Sequence, residues 1–247
     1  MKKHIQHPIF SIITEAASEL KIDAYVIGGF VRDIILKRPC KDIDVVAIGS
    51  GIQLAELVAK KIGNKTKVTV FKNFGTAMLQ HNDYEVEFVG ARKESYAKES
   101  RNPVVENGTL EDDQNRRDFS INAMAISLNK GTFGTLVDPF DGVGDLKKKM
   151  IRTPLDPEVT FSDDPLRMMR AIRFASQLRF DIDADSFGAI TNMVDRIEIV
   201  SGERVITELN KIILSDEPSY GFKLLYFSGL LNKIFPEMVA LQGVQTI

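Results

Sequence analysis

The segment AYVIGGFVRDIILKRPCKDIDVVAIG joins two glycines, Gly28 and Gly29, to a pair of alternating aspartates, Asp42 and Asp44. An apolar run from Ala24 to Ile27 ends in the glycines, a helical segment follows, and the chain returns as an apolar strand bearing both acids. Residues two apart on a strand share a face. Two like charges on one face repel, and a hard divalent cation offsets that repulsion. Mg²⁺ is commonly held by one or two carboxylates together with substrate phosphates. The glycines let backbone N–H groups approach an anion, and a helix starting near Phe30 aims its positive end at it. Arg32, in the first turn of that helix, is placed to reach the same anion. The segment points to a nucleoside triphosphate, Mg²⁺ and phosphoryl chemistry. The plainer alternative is an α/β turn whose strand ends in two solvated aspartates.

A second acidic pair, Glu85 and Glu87, also alternates along an apolar run. If that strand neighbours the aspartate strand, one glutamate supplies a third carboxylate, able to bind metal or to accept a proton from an attacking hydroxyl. An edge strand with polar residues turned outward is the alternative. Further on, DDPLRMMRAIRFA places Met168, Ile172 and Ala175 on one side of a helix, with Arg167, Arg170 and Arg173 fanned across the other. Asp164 and Arg167 lie one turn apart. A carboxylate accepts only and a guanidinium donates only, so the pair forms an acceptor/donor edge. Cytosine and adenine present the complementary pattern; uracil and guanine reverse it. Arg170 and Arg173 remain for phosphates. An exposed i,i+3 ion pair, worth a few tenths of a kcal/mol, is the alternative.

These groups need elements to hold them. Residues 9–21 and 52–62 carry helical spacing, and residues 24–28, 43–48, 67–71, 76–81 and 84–90 read as strands, with a tight turn at Asn82-Asp83. The first half is therefore an α/β domain with a small mixed sheet of about five strands. Residues 91–115 are polar and aperiodic, residues 116–128 resume as a helix, and residues 137–153 are turn-rich. From about residue 160 the pattern is all-helical, with Asp163-Asp164-Pro165 as a helix start. The boundary falls near residue 150, giving domains of 1–150 and 151–247.

Composition is that of a globular chain: 247 residues, 44% hydrophobic, net charge −2. That charge argues against a surface coated in nucleic acid, while leaving room for local patches such as Lys147-Lys148-Lys149. No apolar stretch approaches a membrane span, and the N-terminus lacks a signal-peptide core. The single Cys40 makes no internal disulfide, which fits the cytoplasm, and His4, His7 and His81 are scattered, with no zinc pattern.

Taken together, the motifs resemble those of the class II CCA-adding enzymes, which are tRNA nucleotidyltransferases, and of their bacterial poly(A) polymerase relatives. GGFVRD with KDIDVV is similar to the first family motif. RRDFSINAMA is similar to the ribose-sensing second, and DPFDGVGDL to the hinge. DDPLRMMRAIRFA is similar to the nucleotide-template helix, and SGERVITELNKIIL to the motif after it. The resemblance implies a polymerase-beta-like nucleotidyltransferase head followed by a helical neck. It also implies Mg²⁺ on Asp42 and Asp44, with Glu87 as third carboxylate. Gly28, Gly29 and Arg32 would lie at the triphosphate, Arg117 at the nucleotide and Asp118 near its ribose. Asp164 and Arg167 would read the base edge, with Arg170 and Arg173 completing the pocket. CTP and ATP would be the substrates and the tRNA 3′ end the acceptor, without DNA or membrane. Residues 91–115 would correspond to a flexible segment used in switching from C to A. The template motif usually begins Glu-Asp; here it is Asp163-Asp164. The family's body and tail, which grip the tRNA elbow, are expected outside this sequence. Poly(A) addition, small-molecule nucleotidyl transfer and an inactive RNA-binding module are the rival expectations.

Overall fold

The computed structural model describes residues 1–63, 65–72, 75–97 and 100–243. It divides into two compact units, one of Met1–Ser95 with Pro103–Leu146, the other of Tyr96–Asn102 with Lys147–Ile247.

In chain order the elements begin with α1 (Pro8–Leu20), β1 (Ala24–Ile27), α2 (Gly29–Ile35), β2 (Asp42–Ala47), α3 (Gly51–Ile62) and β3 (Val68–Phe71). There follow β4 (Thr76–His81), β5 (Tyr84–Gly90), β6 (Arg92–Ala97), β7 (Ser100–Asn107), α4 (Leu110–Asn115), α5 (Ser120–Ala123), β8 (Ala125–Ser127), β9 (Leu136–Val137) and α6 (Gly142–Lys148). The first unit is built on a seven-stranded sheet in the order β3-β4-β5-β2-β1-β8-β9. β2 and β5 run parallel, and their neighbours are antiparallel. Helix α1 starts at a proline with His7 as N-cap and buries Ile9, Phe10, Ile13, Ala16 and Ala17, a helical stripe. α3 opens with Ser50 Oγ accepting from Gln53 N at 3.2 Å and buries Leu54, Ala55, Val58 and Ala59. Each Ile, Leu, Val or Phe so buried contributes about 1.5–3 kcal/mol. On the sheet, Ile27, Val46 and Ala125 form a second buried cluster with Ala91.

The sheet has seven strands where the sequence pattern predicts about five, and the difference lies in residues 116–137. Only Ser120–Ala123 are helical there. Met124 is extended with ψ 140°, and Ala125–Ser127 continue as β8 against β1. Every residue from Phe119 to Leu128 is buried, so no polar face remains to reveal a period. Residues 91–115 are not irregular either: β6 and β7 pair in a two-stranded sheet, and α4 follows with a Thr109/Asp112 capping box. Residues 98 and 99 of that segment lie outside the described residues.

The second unit contains β10 (Met150–Ile151), α7 (Pro157–Asp163), α8 (Leu166–Leu178), β11 (Asp181–Ile182), α9 (Ala184–Asn192), α10 (Gly202–Ile213), α11 (Pro218–Phe227), α12 (Leu230–Ile234) and α13 (Pro236–Val239). β10 and β11 form a short parallel pair, so the unit is helical but for one two-stranded sheet. α8 is its centre, packed by α10 and α11. Gly221 makes the α11 approach possible, since a Cβ there would stand 2.5 Å from Ile212 and 3.0 Å from Ser176 Oγ. Among the described residues no helix is long and apolar enough to cross a membrane.

Candidate active site

The parallel pairing of β2 with β5 sets Asp42 opposite Glu85 and Asp44 opposite Glu87. The two acidic pairs therefore share one sheet face, as a third carboxylate requires. On the other side of β2, Asp44 pairs with Ile27, the last residue before Gly28. The glycine elbow and the aspartates are thus adjacent by register alone. Asp42 is exposed and Asp44 partly covered. Burial pushes the Asp44 carboxyl upward; the Arg117 guanidinium opposes that shift, and the Asp42 and Asp113 charges add to it. Glu87 is also raised, by burial first and then by the Asp44 charge, against a hydrogen bond with Thr76.

Among the described residues neither Asp42 nor Asp44 has a hydrogen bond or ion pair through its carboxylate, and no three His, Cys, Asp or Glu groups form a ready-made metal cage. Two adjacent carboxylates, one of them largely withdrawn from water, are costly without a countercharge. Mg²⁺ takes one or two carboxylates and fills its remaining positions with water and phosphate oxygens, so the donor set fits that ion.

Gly28 has φ +82° and ψ −137°, a backbone that only glycine adopts without strain. A Cβ there would lie 2.9 Å from Arg117 Nη1 and 3.4 Å from Asp44 Oδ2, so the guanidinium and the carboxylate converge over this one α-carbon. Arg32 is not a loose cation awaiting a phosphate. Its Nε and Nη2 donate to Asp33 at 2.9 Å each, and its Nη1 donates to Asn122 Oδ1 at 2.8 Å. Asn122 Nδ2 in turn donates to Asp118 Oδ1 at 3.0 Å, tying Arg32 to the second motif. Asp118 is buried and also accepts from Phe119 N at 2.8 Å. Cys40, a plain loop residue by sequence, donates to the Asp42 carbonyl at 3.3 Å.

The second unit presents the arginine helix differently from the pattern of its sequence. Arg167 and Arg173 are buried rather than solvated. Asp164 is held by Arg204 of α10, with Nη2 to Oδ2 at 2.8 Å, and caps α8 by accepting from Leu166 N at 3.2 Å. Arg167 Nη1 reaches back to Thr160 O at 3.3 Å. Arg170 and Arg173 lie 5.5 and 3.9 Å from the Phe174 ring centroid. Arg173 Nε also meets Glu208 Oε2 at 2.5 Å, a charge contact outside hydrogen-bond alignment, and Lys211 supports the other Glu208 oxygen at 3.3 Å. Arg173 is therefore tied to α10, while Arg167 reaches back to α7. Sequence reasoning alone misses Asp113, Asn122, Arg204 and Glu208. Asp113 carries a readable signal, standing three and four residues before Arg116 and Arg117.

Arg173→Met is expected to destabilise the protein by about 3–5 kcal/mol, because it strands a buried glutamate charge. Thermal melts check this. The double change Arg173→Met/Glu208→Leu should recover most of the loss.

A mixed sheet that sets paired acids beside a glycine elbow, followed by a helical unit, defines a polymerase-beta-like nucleotidyltransferase fold. Residues 24–152 match the poly A polymerase head domain, and residues 179–241 match the "probable RNA and SrmB-binding site of polymerase A". The chain belongs to the poly A polymerase head-domain family. It is 36% identical over 245 residues to an A-adding tRNA nucleotidyltransferase of Geobacter sulfurreducens, covering 97% of this chain and 27% of that one. It is 38% identical over 213 residues to a CCA-adding enzyme of Pediococcus pentosaceus, covering 85% and 51%. A solved tRNA nucleotidyltransferase, complexed with a primer tRNA and an incoming ATP analog, superposes with a TM-score of 0.80 at 34% identity, covering 95% of this chain and 64% of that one. The chain thus spans between about a quarter and two thirds of the length of these relatives.

Proposed function

We propose that the chain carries the catalytic and nucleotide-selecting parts of a cytoplasmic tRNA nucleotidyltransferase that adds C and A from CTP and ATP to the tRNA 3′ end. The observation that carries this reading is that Asp42, Asp44 and Glu87 share one sheet face, with Asp44 opposite Glu87, next to the Gly28 elbow. A divalent cation held by Asp42 and Asp44 would polarise the α-phosphate and ease deprotonation of the attacking hydroxyl. Glu87, raised by burial and by its neighbour Asp44, is the group suited to accept a proton beside them. The Gly28 N–H is donated to Met124 O at 3.2 Å, so the elbow would offer the triphosphate the Gly29 N–H, with Arg32 and Arg117 beside it and Asp118 near the ribose. Arg170 and Arg173 shape the nucleotide pocket, while Asp164 and Arg167 choose the base.

The similarity to a CCA-adding enzyme supports addition of both nucleotides. The similarity to an A-adding enzyme along 97% of the chain favours a second reading, addition of A alone. Incubation with tRNA ending at its discriminator base, and separately with tRNA ending in CC, with one triphosphate at a time, tests both. Incorporation of C and then A supports the first reading. A added only to the CC-ended tRNA supports the second, and a long A tract assigns poly(A) addition. No Mg²⁺-dependent incorporation under any condition contradicts all three.

Arg167→Ala is expected to loosen the choice among the four triphosphates more than it weakens triphosphate binding. A competition assay with all four measures this, and unchanged C and A preference would count against the base-edge role.

A further inference from the structure

We propose that Asp113 is a positioning residue for nucleotide binding, one that fixes Arg117 so that its Nη1 edge is presented over Gly28 beside Asp44. This rests on the nucleotidyl-transfer reading above and assigns a role to a residue outside the paired acids.

Asp113 is fully buried, at 0% exposure, although it is an aspartate in a polar stretch. A buried carboxylate is retained only where its charge is matched. Here one carboxylate serves two arginines, one oxygen each. Oδ1 accepts from Arg116 Nε at 2.9 Å and Nη2 at 2.5 Å, and Oδ2 accepts from Arg117 Nε at 3.2 Å and Nη2 at 3.1 Å. The capping box that starts α4 fixes the helix turn from which Asp113 projects. Arg117 spends its Nε hydrogen and one Nη2 hydrogen on this anchor. Both Nη1 hydrogens stay clear of it, and Nη1 makes one long contact, 3.4 Å, to Asn122 O. Among the described residues the second Nη1 hydrogen has no partner, and Nη1 is the atom a Cβ at Gly28 would strike. The anchored arginine thus offers a donor at the point where the glycine elbow and Asp44 converge, the right chemistry for an anionic oxygen of a bound triphosphate.

The test is a double-mutant cycle between Asp113 and Arg117, read by equilibrium binding of CTP and ATP with Mg²⁺ and without tRNA, alongside the KM and kcat of incorporation. Asp113→Asn keeps the shape and removes the charge. It should raise the dissociation constant and KM about 10- to 100-fold, the worth of a hydrogen bond to a charged group. In an Arg117→Ala background the same change should cost less than about twofold, because Asp113 acts through Arg117. Asp113→Glu keeps the charge but moves it; should Asp113→Asn melt before assay temperature, the cycle is run with that variant, whose loss should likewise vanish without Arg117. A cost for either Asp113 change that persists undiminished in Arg117→Ala overturns the proposal while leaving the nucleotidyl-transfer reading standing. A parent chain that neither binds nor transfers nucleotide overturns both.

Discussion

Asp44→Asn is expected to abolish nucleotide incorporation and at the same time to make the protein more stable near neutral pH. The first effect would come from removing one of the two carboxylates proposed to hold the cation; metal stabilisation of developing charge is worth several kcal/mol, so a loss of about 10³-fold or more is expected. The second effect follows from the direction of the Asp44 shift. Burial, with help from Asp42 and Asp113, raises its carboxyl above the ordinary value of 3.8 despite the opposing Arg117 charge. The native state therefore holds its proton more tightly than the unfolded chain does. Stability falls as pH rises through that raised value, and the penalty is absent below 3.8, where both states are protonated. Asparagine carries no such penalty. Its melting temperature should exceed that of the parent at pH 7 without divalent ions, by about 2–4 °C for each kcal/mol released, and the advantage should vanish near pH 3. Mg²⁺ should raise the parent's melting temperature and leave the variant's unchanged if the paired carboxylates are its site. A variant less stable than the parent at pH 7 would show that Asp44 is a structural anchor instead.

Gly28→Ala should damage both stability and activity. The residue sits at φ +82° and ψ −137°, where a side chain is strained by about 1–3 kcal/mol. The added Cβ would also enter the space of Arg117 Nη1, 2.9 Å away. The guanidinium has to move off its position over the elbow, and a displacement of about 1 Å in a positioning group costs about 10²-fold in rate. Gly29 is the internal control. It lies at ordinary φ, and its added Cβ would stand 3.5 Å from Arg32 Nη2, a normal contact. Gly29→Ala should therefore cost far less stability. Equal melting temperatures for the two variants would refute the backbone argument, and full activity in Gly28→Ala would refute the placement of Arg117.

Much of this site is legible in the residues themselves, for a definite physical reason. Asp42 with Asp44 and Glu85 with Glu87 sit on strands, where a period of two fixes the face, and β2 and β5 are neighbours in register. The glycines announce their own backbone needs. Elements with one wet face, such as α1, α3 and β5, keep close to their expected bounds. Legibility fails where burial is complete or where partners come from afar. Phe119 to Leu128 are buried on all sides, so a helix and a strand look alike there, and β8 reads as helix. The arginines of α8 read as a fan left for base and phosphates because Glu208 and Arg204, which hold Arg173 and Asp164, lie more than thirty residues away in sequence. Asp113 escapes notice because its polar neighbourhood hides a carboxylate that the fold buries completely.

The most direct test of the paired-acid account is anomalous diffraction from crystals grown with Mn²⁺ and a non-hydrolysable triphosphate. The expected result is a manganese peak bonded to carboxylate oxygens of both Asp42 and Asp44, at about 2.1 Å as for small hard cations, and shared with the phosphates. A triphosphate bound with its metal on other side chains, or with those two carboxylates turned to solvent, would contradict it.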